Sequence, residues 1–498
     1  MLRKFRIILA AAFFTGVTLL FLDFTGALHS WLGWMAKVQL LPAILAVNVV
    51  TVAVLLLLTL LFGRIYCSVI CPLGIMQDVV SWIHGRTKKK NRYRFTYSPA
   101  KKWLRYTLLV LFVVALFAGA HSIAVLIAPY SAYGRIAANL LAPVYRLGNN
   151  FFAWIAERAG SYAFYSVEVW IKSFTTFIIA VVTFVIIAVL AWKNGRTWCN
   201  TICPVGTFLG FFSRYSLFAP VIDKAKCTSC GLCSRQCKAS CINPKEHEID
   251  YSRCVVCMDC LESCREGAIH YAFRRKREEK ASDTGRAVSN DGRRAFLTSA
   301  VIAGASTALK AQEMKVDGGL AEIARAEKPQ RSAPIVPAGS ISLKNFNDHC
   351  TSCQLCVSAC PNNVLRPSSS LMTLMQPEMS YERGYCRPEC TRCSEVCPAG
   401  AIRPISKEEK SSVQIGHAVI DLNLCVVNTD EVSCGNCSRH CPSGAISMVR
   451  RNPDQEATLM IPVVDEEKCI GCGACENLCP ARPFTAIHVE GHEIHKEI

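Results

Sequence analysis

The sequence predicts an α+β protein in two parts: a transmembrane helical bundle, then small cysteine-rich α+β domains. Three observations carry that prediction. Apolar residues make up 51% of the chain, and the excess lies almost wholly in the first 215 residues. Twenty-four of the 29 cysteines fall in six four-cysteine runs beyond that point. Two apolar stretches end in nearly the same residues, which marks an internal repeat.

The bundle is read from four apolar stretches, roughly residues 5–25, 39–63, 103–128 and 173–192. Each is near the ~20 residues that cross a hydrocarbon layer. The first also fits a signal peptide, because Met1-Leu2-Arg3-Lys4 suits either role. No clear small-residue cleavage site precedes the segment 27–34, so the stretch is read as an anchor. Loop charge then sets orientation. The segment 86–105 carries Lys88, Lys89, Lys90, Arg92, Arg94, Lys101 and Lys102 and is expected in the cytoplasm. The segment 129–172 is poor in Lys and Arg and is expected outside as a loop. Lys193, Arg196 and Arg214 bring the chain back inside. The net charge of +17 therefore reads as basic loops beside apolar spans, not as a nucleic-acid surface. Nothing resembles a nucleic-acid module, a phosphate loop or a nucleophile–base pair.

The repeat joins Gly63-Arg64-Ile65-Tyr66-Cys67-Ser68-Val69-Ile70-Cys71-Pro72-Leu73-Gly74 to Gly195-Arg196-Thr197-Trp198-Cys199-Asn200-Thr201-Ile202-Cys203-Pro204-Val205-Gly206. Cysteines at i and i+4 share a helix face. Two parallel repeats commonly pair about an axis normal to the membrane. Cys67, Cys71, Cys199 and Cys203 are then expected to approach each other at the cytoplasmic face, as a candidate shared redox or metal site. The bland alternative is small buried residues at helix ends. Tyr66 and Trp198 are expected to be interfacial anchors.

The cysteine runs come next. Cys227, Cys230, Cys233 and Cys237 form C-x2-C-x2-C-x3-C, and Cys254, Cys257, Cys260 and Cys264 repeat it. Cys350, Cys353, Cys356 and Cys360 do the same, as do Cys469, Cys472, Cys475 and Cys479. Looser versions are Cys386, Cys390, Cys393, Cys397 and Cys425, Cys434, Cys437, Cys441. This is the bacterial ferredoxin spacing, in which three thiolates hold one [4Fe–4S] cluster and the fourth serves its neighbour. Zinc sites use C-x2-C pairs with longer spacers, and disulfide frameworks suit small secreted domains. Six [4Fe–4S] clusters are expected, two in the first ferredoxin-like domain and four in the second. Cys264 should complete the Cys227 set, and Cys237 the Cys254 set. The outer runs allow a local pairing, one with two and three with four, or a nested one, and spacing leaves both open. Ala268-Ile269, Ala401-Ile402, Ala445-Ile446 and Ala486-Ile487 should form short core strands over the clusters.

Between the ferredoxin parts lies a polar linker, then Gly292-Arg293-Arg294-Ala295-Phe296-Leu297-Thr298 and a mildly apolar stretch to about Leu309. That pattern resembles a twin-arginine export signal in mid-chain; a short soluble helix is the alternative. A domain loaded with iron in the cytoplasm would need to cross folded, which suits such a signal. A retained fifth anchor is expected to follow. The expected domains are 1–215 (bundle), 220–273 (cytoplasmic, two clusters), 274–345 (linker and anchor) and 346–498 (periplasmic, four clusters).

The first 270 residues resemble NapH, the membrane ferredoxin-type subunit of periplasmic nitrate reductase systems. The likeness rests on four spans, the C-x3-C-P motifs at Cys67/Cys71 and Cys199/Cys203, and two following cluster motifs. Residues 285–498 resemble NapG, an exported four-cluster ferredoxin, most closely at Cys425-x8-Cys434-x2-Cys437-x3-Cys441-Pro442. The whole chain resembles a natural NapH–NapG fusion. The resemblance implies a quinol dehydrogenase-type module of anaerobic respiration in the bacterial inner membrane. Its partners would be the quinol pool and a periplasmic reductase or cytochrome. The alternatives are a transmembrane conduit from a cytoplasmic reductant and a maturation factor for a periplasmic metalloenzyme. Lys238 and Arg265 replace the proline usual after the fourth cysteine, and Cys386-x3-Cys390-x2-Cys393 departs from the usual C-x2-C-x4-C. Cys241 is a fifth nearby thiol that either substitutes for Cys237 or stays spare. No flavin-attachment motif is evident. His121 lies in the third apolar stretch, where helix packing competes with a quinol proton-acceptor role.

Overall fold

The computed structural model describes residues 1–87, 95–274, 326–452 and 459–498. The twin-arginine segment at Arg293 and Arg294 and the following anchor lie outside the described residues.

Among the described residues, two helices are long and apolar enough to cross a membrane, Leu2–Leu22 and Phe174–Asn194. Each has 21 residues. At 1.5 Å per residue that is about 32 Å, the thickness of a hydrocarbon core. The other two expected spans are each divided. The second becomes Leu40–Leu45 and Val49–Phe62. The break falls at Val47, held at φ 53°, and at Asn48, whose side chain accepts a hydrogen bond from Thr51 N at 3.1 Å. The third becomes Lys102–Phe117 and His121–Ile127, separated at Ala118–Ala120. The 14 residues of Val49–Phe62 reach only about 21 Å.

The segment 129–172 is not the loop that its charge suggested. Pro129 starts a helix to Ile136, a π turn covers Ala137–Leu141, and a further helix runs Ala142–Arg158. Proline at the first helical position is pre-set for a helix start. Tyr130, Tyr133, Ile136 and Ala137 follow at helical spacing and are fully buried. The bundle interior claims this face, so the first of these helices lies in the core.

Both ferredoxin-like parts are built from short antiparallel pairs. Phe218–Ile222 pairs with Ile269–Phe273, and Ile242–Asn243 with Glu248–Ile249. In the second part Leu365–Pro367 pairs with Pro377–Met379, Val413–Ile420 with Ile487–Glu497, and Ile446–Arg450 with Met460–Val464. The Ala-Ile pairs after the runs are all buried. Ile269, Ile446 and Ile487 open strands, whereas Ile402 lies outside any strand.

The two parts sit at opposite ends of the N-terminal helix. At its start Arg3 bonds Asp259 at 2.8 Å, and Tyr271 Oη donates to Phe62 O at 3.2 Å. Just past its end, Gly26 faces Arg392. There Asn139 Nδ2 donates to Gln354 Oε1 at 2.8 Å, Ser122 Oγ to Leu371 O at 3.4 Å, and Arg383 pairs with Glu168. The length of that helix therefore separates the two-run part from the four-run part.

Candidate iron–sulfur sites and the duplicated motif

The C-x3-C-P motifs are brought together. Cys71 and Cys203 precede Pro72 and Pro204, each the first residue of a helix. Cys203 Sγ accepts from Gly206 N at 3.3 Å. The repeats are bound by exchange of arginines. Arg64 of the first donates to Cys199 O at 3.2 Å and to Asn200 Oδ1 at 2.9 Å. Arg196 of the second donates to Cys67 O at 2.6 Å. Gly74 and Gly206 make room: a Cβ on either would lie 2.3 or 2.2 Å from the cysteine carbonyl and within 2.8 Å of the partner repeat's guanidinium. All four thiols are buried. Cys203 lies within electrostatic range of Cys199, Cys71 and Cys67. Arg64 Nη2 approaches Cys67 Sγ at 3.7 Å, and Gln77 Nε2 approaches Cys199 Sγ at 3.2 Å.

One asymmetry locks the pair to the neighbouring domain. Asp78 of the first repeat meets Arg196 Nη2 at 2.7 Å, Arg6 Nη1 at 3.3 Å and Lys238 Nζ at 3.7 Å. Burial raises its pKa, but Arg196, Lys238 and Arg6 outweigh that and hold the carboxyl far below the usual range. The matching position in the second repeat is Gly210, where a Cβ would meet Ser252 O at 2.5 Å. That carbonyl accepts from Arg64 at 3.0 Å instead.

Tyr66 is not an interfacial anchor. It is fully buried, accepts from Leu40 N at 3.2 Å and donates to Gln39 Oε1 at 3.0 Å. Trp198 is buried too. The bundle needs these rings inside because the half-helices converge there. His121 starts a helix instead of lying within a span, and its Nε2 is 3.4 Å from Asp348 Oδ1 of the outer part.

The run cysteines collect into sets that follow the ferredoxin rule. Cys227, Cys230 and Cys233 line one cavity with Cys264. Cys254, Cys257 and Cys260 line another with Cys237 and also Cys241. Cys241 Sγ is 3.5 Å from Cys237 Sγ, so the spare thiol sits inside the cluster cavity. Cys350, Cys353 and Cys356 face Cys397, and Cys386, Cys390 and Cys393 face Cys360. Cys469, Cys472 and Cys475 share a cavity with Cys441, while Cys425, Cys434 and Cys437 share one with Cys479. The outer runs therefore pair locally. Cys386 N donates to Cys472 O at 3.0 Å, which joins the two halves.

These donor sets fit clusters better than single ions. Among the described residues no three His, Cys, Asp or Glu side chains converge as ligands of one metal ion. The thiols instead surround a space, as corners of a four-iron cluster require. Val256 and Met258, at φ 52° and 62°, curl their loop around its cavity. Left-handed backbone is costly for a β-branched residue, and the cluster loop retains it. Burial pushes the Cys233 and Cys437 thiols up to about 11. Iron must therefore displace protons to bind there, the usual coupling of metal loading to proton release.

A buried aromatic pair lies between the duplicated motif and the outer sets. Tyr66 is within electrostatic range of Cys71, Cys67 and Cys203, and Tyr130 of Cys353, Cys397 and Tyr66. Gly134 lets that helix touch the outer loop: a Cβ there would lie 2.3 Å from Cys353 O.

Comparison with known proteins agrees with this chemistry. A family described as "4Fe-4S binding domain" matches twice, at residues 44–91 and 175–223, once over each repeat. A "4Fe-4S dicluster domain" matches residues 432–482, and another "4Fe-4S binding domain" matches 346–366. The methylamine utilization ferredoxin-type protein MauM of Methylophilus methylotrophus is 32% identical over 172 residues, 30% of this chain and 69% of MauM. The chain belongs to the ferredoxin-type 4Fe-4S protein family. Ferredoxin-type protein NapF of Escherichia coli is 27% identical, over 36% of this chain and all of NapF. Putative electron transport protein YccM of Escherichia coli is 25% identical, over 45% of this chain and 55% of YccM. The family is one of multi-cluster iron–sulfur proteins of electron transfer.

Proposed function

We propose that this protein is a multi-pass inner-membrane electron carrier that takes electrons from quinol and delivers them, through four outer [4Fe–4S] clusters, to a periplasmic reductase. The observation that carries the reading is the seating of the outer part on the bundle. The Cys350–Cys353–Cys356–Cys397 set touches the helix Pro129–Ile136. From there the sets continue through Cys386–Cys472 toward the far end. That is a path leading away from the membrane. A quinol gives up two electrons and two protons; two clusters take one electron each, and the protons leave to the outer side. The likeness to a NapH–NapG fusion supports the same direction. Four membrane passes remain the reading of the apolar stretches, with the divided helices packed as half-spans around the duplicated motif.

A second reading rests on a different observation. The four motif cysteines and the Tyr66–Tyr130 pair lie between the inner and outer sets. In that reading a redox group at Cys67, Cys71, Cys199 and Cys203 joins a cytoplasmic reductant to the outer clusters. Both readings take six clusters.

Anaerobic redox titration of the purified protein, read by EPR, tests the proposal. Quinol analogues should reduce the outer clusters in the wild type and equally in the Cys67→Ser/Cys199→Ser variant. Reduction of the outer clusters by a low-potential cytoplasmic donor such as reduced ferredoxin, lost in the variant, would favour the conduit, and no reduction by any quinol would remove the leading reading. Protease added to spheroplasts should reach residues 346–498, and replacing Arg293 and Arg294 with Lys should protect them.

A further inference from the structure

We infer that a cavity at the outer edge of the bundle is the binding site for the oxygenated ring of a quinone. This rests on the proposed exchange of electrons with quinol and gives that exchange a place. The cavity holds about 260 Å³. A buried cavity of roughly 150 Å³ already accepts benzene, so a substituted six-membered ring fits.

Its walls come from three sources. Ala138, Ala142 and Phe177 belong to the bundle. Trp170 and Lys172 come from the connection before the helix Phe174–Asn194. Gln354 sits inside the first outer cysteine run, between Cys353 and Cys356. The last source decides the matter, because one wall of the cavity is itself a cluster-binding loop. Lys172 Nζ holds that loop by donating to Val357 O, and it lies within electrostatic range of Cys360 and Cys356.

The cavity has donors without acceptors. Gln354 Nε2, Trp170 Nε1 and Arg146 Nε are buried and have no hydrogen-bond partner among the described residues. Gln354 is only 2% exposed, and its Oε1 is already taken by Asn139 Nδ2. Buried donors left unpaired are expensive, so such a group calls for an explanation. A ligand that presents oxygen acceptors on an otherwise apolar body satisfies them. Quinone carbonyls do so at opposite ends of one flat ring. Trp170 is held in place for such contact by Arg366 and Arg383, whose guanidinium carbons lie 4.8 and 4.4 Å from its ring centroid.

The approach is also suited to a lipid-soluble ligand. The helix Ala142–Arg158, which forms one side, exposes Val144, Leu147, Phe151 and Phe152. An apolar tail can lie along that surface while the ring enters the cavity. A phospholipid phosphate would meet the same donors, but the lining is mostly apolar and its only cations are Arg146 and Lys172.

The test uses full-length protein in nanodiscs with a short-tailed photoreactive naphthoquinone as probe. Binding is read by crosslinking with peptide mapping and by quenching of tryptophan fluorescence. Labelling should fall on peptides containing Trp170 and Gln354. Ala142→Phe, which fills the cavity, and Gln354→Leu, which removes a donor, should each weaken binding at least tenfold. Iron content equal to wild type in both variants shows that the fold and clusters persist. If Gln354→Leu loses iron, Ala142→Phe and Trp170→Phe decide alone. Unchanged affinity in these variants, or labelling elsewhere, overturns the site while leaving quinol oxidation intact. Tightly held phospholipid that the naphthoquinone does not displace also overturns it, in favour of a lipid headgroup. Wild-type protein whose clusters no quinol reduces would instead sink the functional reading, whatever binds in the cavity.

Discussion

Replacing Asp78 with Asn should loosen the junction between the duplicated motif and the inner ferredoxin part. The substitution keeps the shape and removes the charge. Arg196 is then left fully buried without a counter-ion, and Arg6, 6% exposed, loses its carboxylate. Lys238 keeps Asp259 at 3.0 Å, so its share survives. Removing one partner of a buried pair costs about 3–5 kcal/mol. The asparagine oxygen still accepts one hydrogen bond, which puts the expected loss at the lower end, about 3 kcal/mol. At about 1.4 kcal/mol per decade that is roughly a hundredfold in a local opening equilibrium. The folded carboxyl titrates below its unfolded value, so its contribution is complete above about pH 3.9 and fades as pH falls through the folded value. An assay at pH 7 therefore sees the whole effect. Iron released to a colourimetric chelator from protein in detergent should appear about a hundred times faster in the variant than in the wild type, and the thermal midpoint should drop. Release within twofold of wild type would show that Asp78 does not hold this junction, and the charge network would carry no structural weight.

Other outcomes follow from the same geometry. Anaerobically purified protein should hold about 24 iron atoms from six clusters of four, excluding any at the motif cysteines, by quantitative iron and sulfide analysis; a value near eight would leave the outer part without clusters. Cys237→Ser should retain the iron of the Cys254 set because Cys241 lies 3.5 Å away in the same cavity, whereas Cys237→Ser/Cys241→Ser should lose about four irons per chain. In the conduit reading, Tyr130→Phe should leave electron passage from inner to outer clusters close to wild type in stopped-flow spectroscopy, and Tyr130→Ala should slow it at least tenfold; equal rates in both would remove the aromatic pair from the path. Gly74→Ala and Gly206→Ala should each reduce the yield of folded protein strongly, since a Cβ has no room at either carbonyl, and normal yield would contradict the crossed packing.

Much of the site was legible because its chemistry is local. Each cysteine run carries its spacing within a dozen residues, and the Ala-Ile pairs after them are buried as their positions suggested. The repeat could also be read, since Gly, Arg, Cys and Pro recur at fixed offsets. What stayed hidden depends on partners far away in the chain. Asp78 meets Arg196 across 118 positions, and nothing near either residue announces the other. The pairing of the outer runs is decided by packing of the short helices beside Cys356 and Cys393, which spacing cannot weigh. Apolar composition reported burial but not continuity: Asn48 caps a helix inside an apolar stretch, and a short polar side chain gave the only hint. In the segment 129–172 low charge suggests a loop, while the spacing of Tyr130, Tyr133 and Ile136 is that of a buried helix face.

The exchange of Arg64 and Arg196 also bears on biogenesis. Neither half of the duplication contains the group that closes its own cysteine turn. While the ribosome is still making residues between the repeats, the first motif is an open structure with an unsatisfied Cys67 carbonyl. Co-translational folding can therefore place the early helices but cannot complete them. A polypeptide nicked within the exposed stretch at Gly160–Ser166 should assemble only when both fragments are made in the same cell, and each fragment alone should be cleared by proteolysis. The duplication thus acts as a checkpoint, in which the helical portion matures only after the segment that leads into the first cluster domain has emerged.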